Sequence, residues 1–261
     1  MGTPTISRET PVGRRTNHQV VTWLENETSE LLGEVQAQEF WSVITAQDTD
    51  PAFAKAIMRE VYHEIVGYQP HVIEAAIATI GQMPRSMNPR LVKSMLAHQA
   101  DEFDHGQMAF RDLIGLGVAE EEIRHRRITP EAFAVASVWW MIVQARDPFA
   151  YLGALYLFEG LTPTVTQLVK TKLLSKGLTA DSLSYIEFHS TEDVKHANLV
   201  HFLISEVASA YPESVNSIKH GFQCFRAVYP IPLWRAAFLR ARRGKVDQEQ
   251  EDRLAANSFT I

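Results

Sequence analysis

Four dipeptides constrain this chain more than anything else in it: Asp50-Pro51, Asn88-Pro89, Thr129-Pro130 and Asp147-Pro148. In each, a short polar side chain precedes a proline. The side-chain oxygen can accept from an orphan N–H of a first helical turn, and the fixed φ of proline suits the first helical position. Thr179 to Ser182 offers a further start. Stops are expected at Gly81, at Gly115 to Gly117 and at Gly177, where glycine can turn left-handed. Between these marks the spacing predicts seven long helices, over residues 18–46, 51–81, 89–115, 130–146, 148–176, 181–209 and 212–240. Pro70 and Pro163 should kink theirs. No alternating strand pattern bounded by turns occurs. The fold class is all-α. A flexible Thr/Pro/Arg-rich arm (1–16) is expected before one helical domain (17–240), with a polar C-terminal tail (241–261) after it.

A length of 261 residues suits one domain or at most two, with a full core. The charge balance of 25 Lys+Arg against 31 Asp+Glu leaves no basic footprint for nucleic acid and no polybasic membrane patch. The most apolar stretch, Phe133 to Phe158, is broken by Gln144, Arg146, Asp147 and Pro148 into halves too short to span a bilayer. Arg14-Arg15 resembles a twin-Arg start, but no apolar run follows it. The single cysteine, Cys224, excludes an internal disulfide framework and a Cys-based metal knuckle. The expectation is a cytoplasmic globule whose reactive groups are Asp, Glu and ten His.

Two helices repeat one pattern, His-x3-acid-x2-His. The first is His98-Gln-Ala-Asp-Glu102-Phe-Asp-His105 and the second His189-Ser-Thr-Glu-Asp193-Val-Lys-His196. At about 100° per residue the three positions fall near 0°, 40° and −20°, a narrow stripe. Leu91, Met95, Ala109 and Leu113 share the stripe on the first helix, and Ile186, Val200, Ile204 and Val207 on the second. Asp101, Asp104, Glu192 and Lys195 point elsewhere. Both triplets therefore face the core, where unpartnered carboxylates and imidazoles are costly. A lone core histidine is ordinarily structural. Chance supplies about 0.05 matches to this template in a chain of this composition, and here there are two.

Glu159 agrees with them. It follows the run Phe149 to Phe158, apolar around the whole helix, so its carboxylate needs a cation or a proton. Imidazole with carboxylate and no thiolate argues against structural zinc. Three carboxylates (Glu102, Glu159, Asp193) with His105, His189, His196 and the additional His98 exceed what one ion needs. They suit two ions held between helices, with Glu102-x-x-His105 and Asp193-x-x-His196 as the repeating units. Iron is the first choice and manganese the second. The helix at 51–69 carries a decoy, Glu60-Val-Tyr-His63: His63 is read as surface and Glu64 as a marginal ligand or supporting group. Trp139, Trp140, Met141, Tyr151, Tyr156 and Phe158 are candidates to line an apolar cavity, although such stripes are commonly plain core.

With seven helices, His105 in the third, Glu159 in the fifth and His189-x3-Asp193-x2-His196 in the sixth, the chain resembles the haem-oxygenase-like di-iron oxidases over residues 50–210. The family is distantly related to thiaminase-like and pyrroloquinoline-quinone-synthase-like folds. The Glu102-x-x-His105 spacing is similar to that of the fatty-acid-decarboxylating, alkene-forming branch. Other branches place their first carboxylate where this chain has His98. The resemblance implies a haem-oxygenase-like bundle with two Fe2+ ions and O2 as co-substrate. It assigns Glu102, His105 and His196 to one iron, His189 and Asp193 to the other, and Glu159 to a bridge. It implies C–H abstraction leading to desaturation, oxidative C–C cleavage or N-oxygenation of a small amino acid or aliphatic acid. The expected partners are a small-molecule substrate, an external electron donor and a second copy in a homodimer, with neither nucleic acid nor membrane.

Other classes make different demands. An iron-storage bundle would accumulate many irons without an organic substrate. A haem-degrading oxygenase needs room for a macrocycle that two inward triplets would crowd. A thiaminase-like hydrolase needs a core cysteine, and Cys224 lies outside the constellation. Among basic residues only Arg146 and Lys170 offer themselves as carboxylate clamps.

Overall fold

The chain folds into an all-α bundle in which the cap–proline pairs act largely as their chemistry requires. The computed structural model describes residues 19–191 and 193–258, so the expected arm at 1–16 lies outside the described residues. Twelve α-helices are described: α1 (Gln19–Gln36), α2 (Glu39–Thr45), α3 (Pro51–Ile80), α4 (Pro89–Glu102), α5 (His105–Gly115), α6 (Glu120–His125), α7 (Pro130–Ala145), α8 (Ala150–Ser175), α9 (Ser184–Thr191), α10 (Asp193–Ala210), α11 (Ser214–Arg226) and α12 (Ile231–Ser258). A single 3-10 turn, Ala180–Ser182, precedes α9. The seven expected segments are present; those at α3, α7 and α8 are whole, the others are subdivided, and one break, at Phe103–Asp104, falls inside the first His-acid-His triplet.

Asp50, Asn88 and Thr129 each cap their helix, accepting from the N–H of Ala52 (3.0 Å), Arg90 (3.0 Å) and Ala132 (3.1 Å). Asp147-Pro148 behaves differently. The helix starts at Ala150, whose N–H donates to the Asp147 carbonyl (3.2 Å), so this pair makes a turn before the helix and not a cap. Gly117 (φ 84°) and Gly177 (φ 78°) are left-handed stops as expected, whereas Gly81 stays right-handed at φ −63°. Pro70 and Pro163 lie inside uninterrupted helices.

Helix α8 runs through the middle of the bundle, and every residue from Ala150 to Leu157 is buried. Its approach to α11 is backbone on backbone. A Cβ on Gly153 would sit 1.8 Å from the Ile218 carbonyl oxygen, and one on Gly221 1.9 Å from that of Ala150. Among the described residues no helix is long and apolar enough to cross a membrane.

Helix α3 has little free face. Its neighbours include α5, α7 and α12, and this overturns the expectation for His63, which is buried at 7 % exposure. Burial lowers its pKa to about 4, with the cations of Arg126, Arg240 and Arg59 acting the same way. Glu64 is also fully buried, but as part of an ion network. Arg240 on α12 pairs with Glu64, with Glu60 (2.9 Å) and with Glu131 (3.1 Å), while Arg126 pairs with Glu60 and Thr129 donates to Glu64. The start of the expected tail is thus tied down, as α12 continues with Arg242 on Glu39 and Lys245 on Asp50.

Removing one partner of a buried ion pair leaves an uncompensated charge, at a cost of about 3–5 kcal/mol. Arg240→Met should destabilise the fold by roughly 3 kcal/mol in denaturant titration. The metal content of the folded protein should stay unchanged.

Candidate metal centre

Five helices each deliver side chains to one buried point. Helix α4 brings His98 and Glu102, α5 begins with His105, α8 carries Glu159, α9 carries His189 and α10 carries His196. Two donor groups result, each with ligand atoms mutually within 4.8 Å: His98, Glu102, Glu159 and His196, then Glu102, His105 and His189. Glu102 belongs to both. The expected bridge, Glu159, belongs to one, and His105 and His196 fall on opposite sides of Glu102. Asp193 lies in α10, and its side chain lies outside the described residues.

The approaches are close. His105 Nδ1 lies 2.6 Å from one Glu102 oxygen and His196 Nδ1 lies 3.0 Å from the other. His98 Nε2 is 3.2 Å from Glu159 and 3.9 Å from Glu102. Yet His98 Nε2, Glu102 Oε1 and both ring nitrogens of His105 are buried without an aligned hydrogen bond among the described residues. Each such orphan costs about 1–3 kcal/mol. Lone pairs that converge on one point without pairing are what a cation requires, and an all N/O donor set suits iron.

Two supports orient the imidazoles. The carbonyl of Tyr185 can only accept, so His189 Nδ1 carries the proton and donates to it (2.7 Å), leaving Nε2 as the ligand atom. The Tyr185 ring stacks on the same imidazole at 3.8 Å. On the other side, the Gln99 amide lies between His98 Nδ1 (2.9 Å) and Tyr151 Oη (3.1 Å). The amide nitrogen is the atom that faces both, and it donates to the tyrosine oxygen. The exchanged amide orientation, with its oxygen accepting from both neighbours, is the one that would leave the His98 Nε2 lone pair facing the carboxylates. Gln99 carries no pattern by which sequence could single it out; one of its neighbours in the helix is the histidine itself.

Burial and mutual charge divide the two carboxylates. Burial would raise Glu102, but the His105 and His196 nitrogens outweigh it and hold its pKa well below the usual carboxylate range. Glu159 is pushed well above that range, by burial first and then by the charge of Glu102. Burial lowers His98, and lowers His189 to about 4. His196 is raised, because the Glu102 contact and Glu159 overcome its burial.

Two cavities adjoin the centre and share Thr162 and Tyr185. The inner one, about 40 Å³, is lined by Glu102, Glu159, His189, Trp139 and Phe158. The outer one, about 90 Å³, is lined by apolar side chains such as Phe40, Ile57, Ile65, Val165 and Trp234. Of the aromatic residues expected around a cavity, Trp139 and Phe158 line the inner one. Met141 is exposed at 62 % and Tyr156 stacks on His201. Neither Arg146 nor Lys170 lines either cavity, and Lys170 is paired with Glu187.

Helix order and site together define a haem-oxygenase-like fold. The chain is similar to a solved domain of unknown function with a haem oxygenase-like fold from Shewanella denitrificans OS217, at 20 % identity and TM-score 0.74. The match covers 86 % of this chain and 94 % of that one. It is also similar to a TenA homologue from Pseudomonas syringae pv. tomato DC3000, at 13 % identity and TM-score 0.65, covering 91 % and 100 %. No curated protein matches. Residues 60–229 match the family model described as iron-containing redox enzyme, and the chain belongs to that family. The matched span holds all the residues of both donor groups.

A carboxyl whose folded pKa exceeds its unfolded value, about 4.3, binds extra protons in the native state. Stability contributed by the protonated Glu159 is therefore lost as pH rises above that value. A bound cation would displace the proton and reverse the trend. Glu159→Gln should raise the melting temperature of metal-free protein at pH 7 and weaken metal binding at least about 100-fold. Paired thermal melts and metal titrations check both.

Proposed function

We propose that this chain is a non-haem di-iron oxidase or oxygenase that uses O2 to oxidise a small aliphatic acid. The observation that carries the reading is Glu102, one carboxylate common to two donor groups whose other members are four imidazoles and Glu159. Glu102 and Glu159 would offset the charge of two Fe2+ ions; His98 and His196 would hold one, His105 and His189 the other, with Asp193 a further ligand. Bound iron would supply one-electron redox chemistry and O2 activation, sufficient for attack on an unactivated C–H bond.

The protein residues have separate tasks. The Tyr185 carbonyl fixes the His189 tautomer, and Gln99 does the same for His98. Trp139, Phe158 and Leu155 wall the inner cavity and limit water beside the reacting centre. The mainly apolar lining of the outer cavity favours an aliphatic chain over the short polar body of a small amino acid. The Glu102-x-x-His105 spacing, similar to that of the alkene-forming decarboxylating branch, points the same way.

Anaerobic Fe(II) loading should stop near two irons per chain. O2 consumption should then be accelerated by medium-length aliphatic acids and not by small amino acids. Loading that continues far past two, with no substrate effect on O2 uptake, would instead indicate storage.

A further inference from the structure

The two sides of the centre are held by different means. His98, Glu102, Glu159 and His196 sit on α4, α8 and α10, helices of 14, 26 and 18 residues. His189 sits in the second turn of α9, close to the N-terminus at Ser184, where the first backbone N–H groups have no intrahelical partner and need acceptors from elsewhere.

Asp112 supplies the central one. It lies on α5, two turns beyond His105, and is fully buried. One of its oxygens accepts from the backbone N–H of Ser184 (2.9 Å) and from Ser184 Oγ (2.6 Å). The other accepts from the backbone N–H of Tyr185 (2.8 Å). A carboxylate from another helix thus caps the N-terminus of α9, where the helix dipole favours negative charge. Tyr185 is the residue whose carbonyl takes the His189 Nδ1 proton and whose ring stacks on that imidazole. The 3-10 turn before α9 is fixed as well. Tyr62 Oη donates to the Ser182 carbonyl (3.1 Å), and α5 packs so closely that a Cβ on Gly115 would lie 2.2 Å from the Asp181 carbonyl oxygen.

We infer that Asp112 is a positioning residue for the Glu102–His105–His189 half of the centre. By gripping the Tyr185 amide it sets the register in which Tyr185 orients His189, so one helix, α5, fixes both imidazoles of that half: His105 directly and His189 through Asp112. The inference rests on the two-ion reading proposed above. It differs from a general role in folding because the His98–Glu102–Glu159–His196 half makes no contact with Asp112 among the interactions described.

The test is metal titration of the full-length metal-free protein with Co(II), read by visible absorption and by metal counting after gel filtration. Wild type should bind two ions per chain; if it binds only one, the two-ion reading fails and the role of Asp112 with it. In Asp112→Asn, one arm of the side chain becomes an N–H2 group facing the Tyr185 N–H, donor against donor. This variant should retain one ion at near wild-type affinity and bind the second about 10–100-fold more weakly. Nitrogen-15 NMR should show the His189 imidazole losing its fixed Nδ1–H tautomer while His98 keeps its own. Ser184→Ala removes one of the three donors with little risk to folding and should weaken the second ion alone by a smaller factor. Equal weakening of both ions in Ser184→Ala, or two ions of unchanged affinity in a folded Asp112→Asn, would overturn the inference.

Discussion

The structure depends on the Glu102 carboxylate standing between opposed imidazoles in a largely buried place. His105 and His196 approach it from opposite sides at 2.6 and 3.0 Å, and Glu159 faces it through His98 and His196. Five helices must end, begin or turn so that these groups meet. Each gives up hydration in doing so, and the close approaches do not return it as hydrogen bonds. The opposite shifts of the two carboxylates express the same fact. Two buried carboxylates sharing a site cannot both ionise unless positive charge arrives, so Glu102 keeps its charge and Glu159 keeps its proton.

The bundle contains a second set of buried carboxylates, and the contrast between the two is informative. Glu60 and Glu64 on α3 are met by the guanidinium groups of Arg126 and Arg240, with Glu131 and Thr129 completing the network. There the protein brings its own cations. Around Glu102 and Glu159 no Arg or Lys lies within ion-pair distance among the described residues; the neighbours are imidazoles, and burial holds His98 and His189 neutral at ordinary pH. A set of carboxylates furnished with arginine is architecture. A set furnished with imidazoles, two of them kept neutral by burial, is one that could hold a metal ion.

Much of this was legible in the sequence, for a definite reason. The helical spacing His98–Glu102–His105 and His189–Asp193–His196 could be compared with the apolar positions of the same helices, and Glu159 stood alone in an apolar run. What the sequence hid were relations between helices. The 3.6-residue period says that His63 points away from its own helix's apolar stripe, but not that α7 and α12 cover that side as well. It makes Glu64 available without showing that Arg240, 176 residues later, reaches it. It cannot decide which carboxylate lies at the centre, because that depends on where α8 crosses α4. The break at Phe103–Asp104 was equally invisible, since neither residue is a strong helix breaker.

That break explains how one triplet can feed two donor groups. A continuous helix would carry Glu102 and His105 on one stripe, aimed at one point. With α4 ending at Glu102 and α5 starting at His105, the histidine is presented from the start of a new helix and reaches the far side of the carboxylate that its own chain segment supplies. His189 and His196 likewise lie in different donor groups although only seven positions apart. An unbroken helix through 98–105 would have aimed His98, Glu102 and His105 together; interrupting it at the triplet spreads the donors along an axis with Glu102 at its middle.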